Sequence, residues 1–326
     1  MLENKFSFGF FPTPLHELKW ITKEFPDYNI FIKRDDNTGL ATGGNKTRKL
    51  EYLVKQAVDL GCDTIITAGA QQSNHCRQTA AACSKVGLNC HLLLRGDEPD
   101  TYQGNLLLSK ILGATLHFAG DDVKAQTLEF FKQKLDNEGK KCYVIPYGGS
   151  NLTGALGFVN AVKELKEQLS AMELDIDYIF FASCSGGTQA GLTLGRELYK
   201  LKAELMPISI DKNETNGLTL EQAILNIVLE GAQKLNITKQ FQLSDIKLLR
   251  GYDSAGYGVI TDNEIDAINL MARNEGILLD PVYTGRAFWG MLDILKRKAI
   301  PSKSNVLFWH TGGSSSLFYY NDIFDK

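Results

Sequence analysis

Lys46 stands between the turn Thr42-Gly43-Gly44 and an apolar pattern, Leu50, Leu53, Val54, Ala57 and Val58, that recurs at helical spacing and stops at Gly61. With Asn45 as the expected N-cap, the lysine falls in the first helical turn, where the dipole favours anions over cations by about 0.3–1 kcal/mol. Arg48 and Lys49 crowd it with further positive charge, which makes the neutral amine easier to reach. A lysine amine brought toward neutrality is a nucleophile for carbonyl carbon. A second segment, Ser183-Cys184-Ser185-Gly186-Gly187-Thr188-Gln189-Ala190-Gly191-Leu192, follows the apolar run Tyr178-Ile179-Phe180-Phe181-Ala182 and leads into a helical pattern. Its small residues let the backbone N–H groups of Ser185, Gly186 and Gly187 close on a phosphate. Thr188 adds a hydroxyl donor, and the helix N-terminus favours the negative charge.

No Lys-Ser or Lys-Thr pair follows these glycines and the dinucleotide spacing is absent, so neither a triphosphate nor a dinucleotide is expected. Taken singly, an exposed lysine and a tight strand-to-helix turn would account for the two segments. Together, an amine nucleophile and a cradle for one phosphate point to pyridoxal phosphate, held by Lys46 as a Schiff base. Between them lies Gln72-Ser73-Asn74-His75, after the strand-like Thr64-Ile65-Ile66-Thr67 and before a helical pattern that runs to Gly87. Ser73 is a natural N-cap, worth about 1 kcal/mol, and the N–H groups of that helix start can hold a carboxylate. His75 reads as a packed or capping imidazole rather than as a base.

Several ordered motifs carry a family resemblance. Phe11-Pro12-Thr13-Pro14-Leu15, Lys33-Arg34-Asp35-Asp36, Gly43-Gly44-Asn45-Lys46-Thr47-Arg48-Lys49, Ala68-Gly69-Ala70-Gln71-Gln72-Ser73-Asn74-His75 and Tyr147-Gly148-Gly149-Ser150-Asn151 are followed by Gly256-Tyr257-Gly258, Leu279-Asp280-Pro281-Val282-Tyr283-Thr284-Gly285 and His310-Thr311-Gly312-Gly313. The series resembles the D-cysteine desulfhydrase and 1-aminocyclopropane-1-carboxylate (ACC) deaminase family, from about residue 11 to 320 and most thinly between Leu205 and Leu249. The resemblance implies a pyridoxal phosphate enzyme of the tryptophan synthase β-subunit fold and a homodimer. It implies that Gln72, Ser73 and Asn74 meet the substrate, with Asn74 near the phenolic oxygen of the cofactor, and that Tyr257 and Tyr283 line the substrate side. A phenol of lowered pKa beside a protonated ring can move a proton, so Tyr283 or the freed Lys46 is expected as the Cα base. Tyr252, five residues before Tyr257, is a rival for that place.

Substrate choice turns on Thr284 and Thr311, where ACC deaminases carry glutamate and leucine and the D-cysteine desulfhydrases carry threonine. A hydroxyl near the pyridine nitrogen demands less ring protonation than a carboxylate, which suits loss of a thiolate better than opening of a cyclopropane. β-Elimination on a small D-amino acid is therefore expected, D-cysteine giving pyruvate, hydrogen sulfide and ammonia, with ACC deamination to 2-oxobutanoate as the alternative. A serine/threonine dehydratase type of enzyme and a catalytically silent pyridoxal phosphate-binding protein are further alternatives. Two departures adjoin the motifs: Val259-Ile260-Thr261-Asp262 replaces a common proline-asparagine pair, and Arg286 stands where lysine is usual. Either can reshape the pocket, and Arg286 is able to add an anion contact.

The elements that must position these groups belong to a chain of 326 residues, too long for one core, so two domains are expected. Hydrophobic residues at 44%, charged residues at 22% and a net charge of −3 are ordinary for a globular enzyme and give no reason to expect nucleic acid or a membrane as partner. The six cysteines show neither a C-x-x-C pair nor zinc spacing, so no metal is expected and a reducing, cytoplasmic location is. Strand-like runs at 64–67, 90–94, 115–118 and 142–145 alternate with helical patterns at 46–60, 74–86, 104–112 and 123–137. A second series places strands near 178–182, 205–210, 246–250 and 304–308, and helices near 153–172, 188–202, 217–233, 262–275 and 286–297. Such alternation predicts an α/β fold of mostly parallel sheets flanked by helices. The resemblance further implies a smaller domain, 49–156, inserted into a larger one, 1–48 plus 157–326, with the site in the cleft between them.

Overall fold

Residues 1–120, 127–211 and 217–324 are described by the computed structural model, so the first residues of the helix expected at 123–137 lie outside it. The alternating runs become two sheets. Strands β1 (Leu15–Glu17), β2 (Asn29–Arg34), β7 (Tyr178–Ser183), β8 (Glu204–Ser209) and β9 (Asn305–His310) form one in the order β1-β2-β9-β7-β8, parallel except for β1. Strands β3 (Thr64–Gly69), β4 (Asn89–Leu94), β5 (Thr115–Phe118) and β6 (Cys142–Val144) form the other, all parallel, in the order β5-β4-β3-β6. The second sheet is drawn wholly from the middle of the sequence, and the first takes strands from both flanks.

Helices cover both faces of each sheet, so the central strands read as continuous apolar runs. In the larger sheet, Phe180 and Phe308 pack under α10 (Thr284–Lys296) against Phe288 and Met291, while α9 (Asp262–Glu275) adds Ile268 and Met271. Their neighbours Ile179, Phe181, Leu307 and Trp309 face the other way, onto Phe158, Val162 and Leu192 of α6 (Leu152–Ala171) and α7 (Gly187–Leu198). Each such fully buried side chain stabilises by about 1.5–3 kcal/mol relative to exposure. In the smaller sheet, Ile65, Leu92 and Leu94 pack on Leu50, Leu53, Val54 and Ala80 of α2 (Lys46–Asp59) and α3 (Asn74–Val86). Its opposite face meets Phe131 and Leu135 of α5 (Leu128–Asn137). The remaining helices are α1 (Lys19–Glu24), α4 (Gly104–Ile111) and α8 (Leu220–Lys234).

Two differences from expectation have physical reasons. No strand forms at 246–250; Leu249 makes one isolated bridge to Ile208 and the chain then turns at Gly251, whose φ is +97°. The strand β2 carries no amphipathic signature because Lys33 and Arg34 interrupt its apolar run. Lys33 is nonetheless fully buried and bonded to Glu164, Gln168 and the Thr13 carbonyl. Among the described residues no helix is long and apolar enough to cross a membrane. What matters for the site is that β2, β7 and β9 run parallel, so the chain leaves all three at the same edge, where ligands of α/β sheets bind.

Candidate active site

The loops meet as this topology requires. After β2, Asn45 donates its backbone N–H to the Thr311 carbonyl at 2.9 Å, and Gly44 lies against Gly312 after β9, so closely that a Cβ on Gly312 would sit 2.7 Å from the Gly44 Cα. After β6, the Ser150 hydroxyl lies 2.8 Å from that of Ser185 after β7 and accepts the Gly187 N–H at 3.1 Å. After β3, Ser73 caps α3 by accepting the Cys76 N–H at 3.1 Å. Asn45 does not cap α2: its own backbone is helical and its amide donates to the Thr188 hydroxyl at 3.3 Å.

Lys46 is enclosed here with the Gly148 carbonyl 3.3 Å from its Nζ, and burial lowers its pKa. Gly148 adopts φ +63°, and a side chain at that position would collide with the Ser185 hydroxyl and come within 3.3 Å of Lys46 Nζ. Arg48, expected to crowd Lys46, instead turns away to Asp35 and Glu164. Lys49 does the crowding. Its Nζ shares the Gly148 carbonyl at 3.0 Å, lies where a Cβ on Gly187 would be 3.0 Å away, and has its pKa pushed well down by burial first and Lys46 second. Residues 46 and 49 share one face of a helix, and that spacing was the available signal. Cys184 borders both lysines, and burial pushes its thiol up to about 11.

Two buried lysines with one carbonyl between them, facing the N-terminus of a twelve-residue helix, form a site deficient in negative charge. The N–H groups of Ser185, Gly186 and Thr188 have no partner among the described residues, whereas that of Gly187 is taken by Ser150. This donor set fits a phosphate monoester beside an amine-reactive carbonyl, with Lys49 and the Ser185–Thr188 loop for the phosphate and Lys46 for the carbonyl carbon. No group of three or more metal-ligating side chains occurs among the described residues.

On the opposite side, the hydroxyls of Tyr257 and Tyr283 are 2.6 Å apart with their rings crossed edge to face. Burial raises both phenols, Tyr283 well above its ordinary value, which is the reverse of the lowered pKa expected of a base. In such a pair one hydroxyl donates to the other, and a single phenolic proton remains to be offered elsewhere. Tyr252 is excluded from the site, since it bonds Asp293 at 2.7 Å and packs edge-on against Trp289.

Several expected contacts are redirected. The Thr284 hydroxyl accepts the Asp280 N–H and donates to the Asp280 carboxylate, each at 2.7 Å, and is wholly buried; it serves the start of α10 instead of facing a ligand. The Thr311 hydroxyl has no partner among the described residues. Gln72 uses its side chain to bond the Gln103 carbonyl and the Asn105 N–H, so it holds α4 in place. Asn74 accepts from Asn105 at 2.7 Å and points its Nδ2 at Gly313, where a Cβ would lie 2.8 Å away. His75 faces Thr67, whose hydroxyl donates to the Ile145 carbonyl; the ring therefore donates from Nε2, and burial with two lysines nearby holds it neutral. Arg286 makes no anion contact. It is fully buried, paired with Glu264, and donates to the carbonyls of Ile210, Gly256 and Val259, so the two departures noted in the sequence form one clamp on the loop bearing Tyr257.

Residues 6–312 match the model of the family described as pyridoxal-phosphate dependent enzymes. A solved structure described as the ACC deaminase homologue is 37% identical, with a TM-score of 0.87 over 98% of this chain and 95% of its own. A hydrogen sulfide-producing enzyme from Fusobacterium nucleatum is 17% identical, with a TM-score of 0.66 over 95% of this chain and 97% of its own. A threonine deaminase, its source given as T.th., is 14% identical, with a TM-score of 0.66 over 92% of each chain. At those two lower identities the likeness is one of fold alone.

Proposed function

Because the chain belongs to the pyridoxal-phosphate dependent enzyme family and uses that cofactor, we propose that it catalyses β-elimination on a small D-amino acid, D-cysteine and water giving pyruvate, hydrogen sulfide and ammonia. Bound pyridoxal phosphate supplies an aldehyde for the substrate amine and a ring that withdraws electrons from Cα. Lys49 and the N–H groups of Ser185, Gly186 and Thr188 hold the phosphate. The Asn74 and His75 N–H groups, which have no partner among the described residues, bind the substrate carboxylate at the start of α3, beside the Ser73 hydroxyl. Lys46 Nζ, lowered toward neutrality, is the better base for the Cα proton. The Tyr257–Tyr283 pair, raised by burial, acts as a proton donor, and its one uncommitted phenolic proton goes to the departing sulfur.

The observation that carries the substrate reading is at Asp280 and Thr311. The Asp280 carboxylate is engaged by the N–H groups of Val282, Tyr283 and Thr284 and by the Thr284 hydroxyl, which leaves the Thr311 hydroxyl as the group on offer at the position the family resemblance assigns to the ring nitrogen. A hydroxyl does not balance a protonated ring, so the electron sink is weak, sufficient for a thiolate to leave and poorly suited to opening a carbon ring. The relative described as an ACC deaminase homologue supports the competing reading, ACC and water giving 2-oxobutanoate and ammonia. Incubation with D-cysteine, L-cysteine and ACC separately tests the two. Sulfide and pyruvate in equal amounts from D-cysteine alone is the expected result, and 2-oxobutanoate from ACC without sulfide from D-cysteine would replace it with the competing one.

A further inference from the structure

Asn105, at the second position of α4, has no exposed surface and touches the active-site loop three times. Its N–H donates to Gln72 Oε1 at 2.9 Å, and its Nδ2 donates both to the Gln72 carbonyl at 2.9 Å and to Asn74 Oδ1 at 2.7 Å. The orientation of both amides follows from these bonds without ambiguity. A backbone carbonyl only accepts, so the group facing Gln72 O is the Asn105 NH2; that same NH2 faces Asn74, which must present its oxygen. Asn74 is thereby left with its NH2 directed toward Gly313, next to Gly312, which packs on Gly44 two residues before Lys46. Gly313, at φ +108° and without a side chain, leaves that approach open.

We propose that Asn105 is a positioning residue that locks the Asn74 amide with its N–H donors toward the cleft, so that the bound cofactor meets a donor for an electron-rich oxygen instead of a second acceptor. The inference rests on the cofactor being held at Lys46 between these loops. Freed from Asn105, the Asn74 amide can turn over and present its oxygen, and the donor is lost half or more of the time. Asn105→Asp tests this with almost no change of shape. Its carboxylate only accepts, so it draws Asn74 Nδ2 to itself and turns Oδ1 toward the cofactor. The readout is the dissociation constant for pyridoxal phosphate, measured on the apoprotein by the quenching of tryptophan fluorescence.

A hydrogen bond to a charged acceptor implies that Asn105→Asp and Asn74→Ala each weaken binding by about tenfold. Placed in the Asn74→Ala background, Asn105→Asp should change nothing further, because its partner is gone. Losses that multiply in the double variant, or an Asn105→Asp protein that binds as tightly as the wild type, would overturn the proposal. If the carboxylate prevents folding, Asn105→Ala carries the same expectation, checked by the thermal midpoint of the apoprotein. Lys46→Ala separates this outcome from failure of the site assignment: should its loss leave affinity unchanged, the cofactor does not sit between these loops at all.

Discussion

Replacing Lys49 with methionine should move apoprotein stability and cofactor affinity in opposite directions. The ammonium is wholly buried, its one acceptor is the Gly148 carbonyl shared with Lys46, and burial pushes its pKa well below 10.5. Without an anion this charge disfavours the fold, and methionine keeps the length of the stem while removing it. With the phosphate bound, the same ammonium makes a charge-assisted bond worth about 1.5–3 kcal/mol, so Lys49→Met should weaken pyridoxal phosphate binding by roughly 10- to 150-fold. The pH dependence has a fixed sign. A lysine whose folded-state pKa is lowered takes up a proton on unfolding, so stability rises with pH between the folded value and 10.5 and is lost as pH falls through the folded value. The apoprotein should therefore gain stability from neutral pH toward 10, and Lys49→Met should flatten that slope and raise the thermal midpoint at pH 7. Fluorimetric unfolding across pH, with and without cofactor, measures both effects. A less stable Lys49→Met apoprotein, or one that binds the cofactor undiminished, would refute the reasoning.

Three further outcomes are expected. Thr284→Val should cost about 1–3 kcal/mol in urea unfolding, because it strands the Asp280 N–H and one carboxylate oxygen. Thr311→Val should stay within about 0.5 kcal/mol of the parent while lowering the turnover of D-cysteine. Tyr257→Phe and Tyr283→Phe should each reduce turnover by about 10²–10⁴, and the double variant should lose little more than the worse single one, since the pair offers a single proton; independent losses that multiply would contradict the shared donor. Glu264→Gln, which leaves the fully buried Arg286 guanidinium without its counter-charge, should destabilise by about 3–5 kcal/mol, and an unaffected unfolding midpoint would count against the clamp.

Much of the fold was legible because glycine punctuates it. Gly61, Gly87 and the Gly186-Gly187 pair mark where helices end or begin, and β3, β5 and α9 fall within two residues of their expected bounds. The sequence did not reveal β2, because the charges of Lys33 and Arg34 imitate a surface until Glu164, Asp36 and Gln168 are seen around them. The loops that build the site were legible for the same reason as the fold, as small residues between a strand and a helix. Side-chain allegiance was not. Whether Thr284 faces a ligand or Asp280, whether Gln72 meets a substrate or Asn105, and whether Arg286 binds an anion or three carbonyls depends on which partner lies within 3 Å, and neither spacing nor residue type encodes that. Lys49 was seen only as a neighbour that perturbs Lys46, although its place three residues on puts it on the same helical face.

The central claim is that Lys46, and no other buried amine, carries the cofactor. Lys49 is the serious rival, being equally buried and more strongly depressed in pKa. Reducing the cofactor-loaded protein with borohydride fixes the lysine–cofactor bond, and peptide mass spectrometry then locates it. The account predicts the pyridoxyl group on Lys46 and its disappearance in Lys46→Ala. A label on Lys49, or on a lysine outside the cleft, would contradict it.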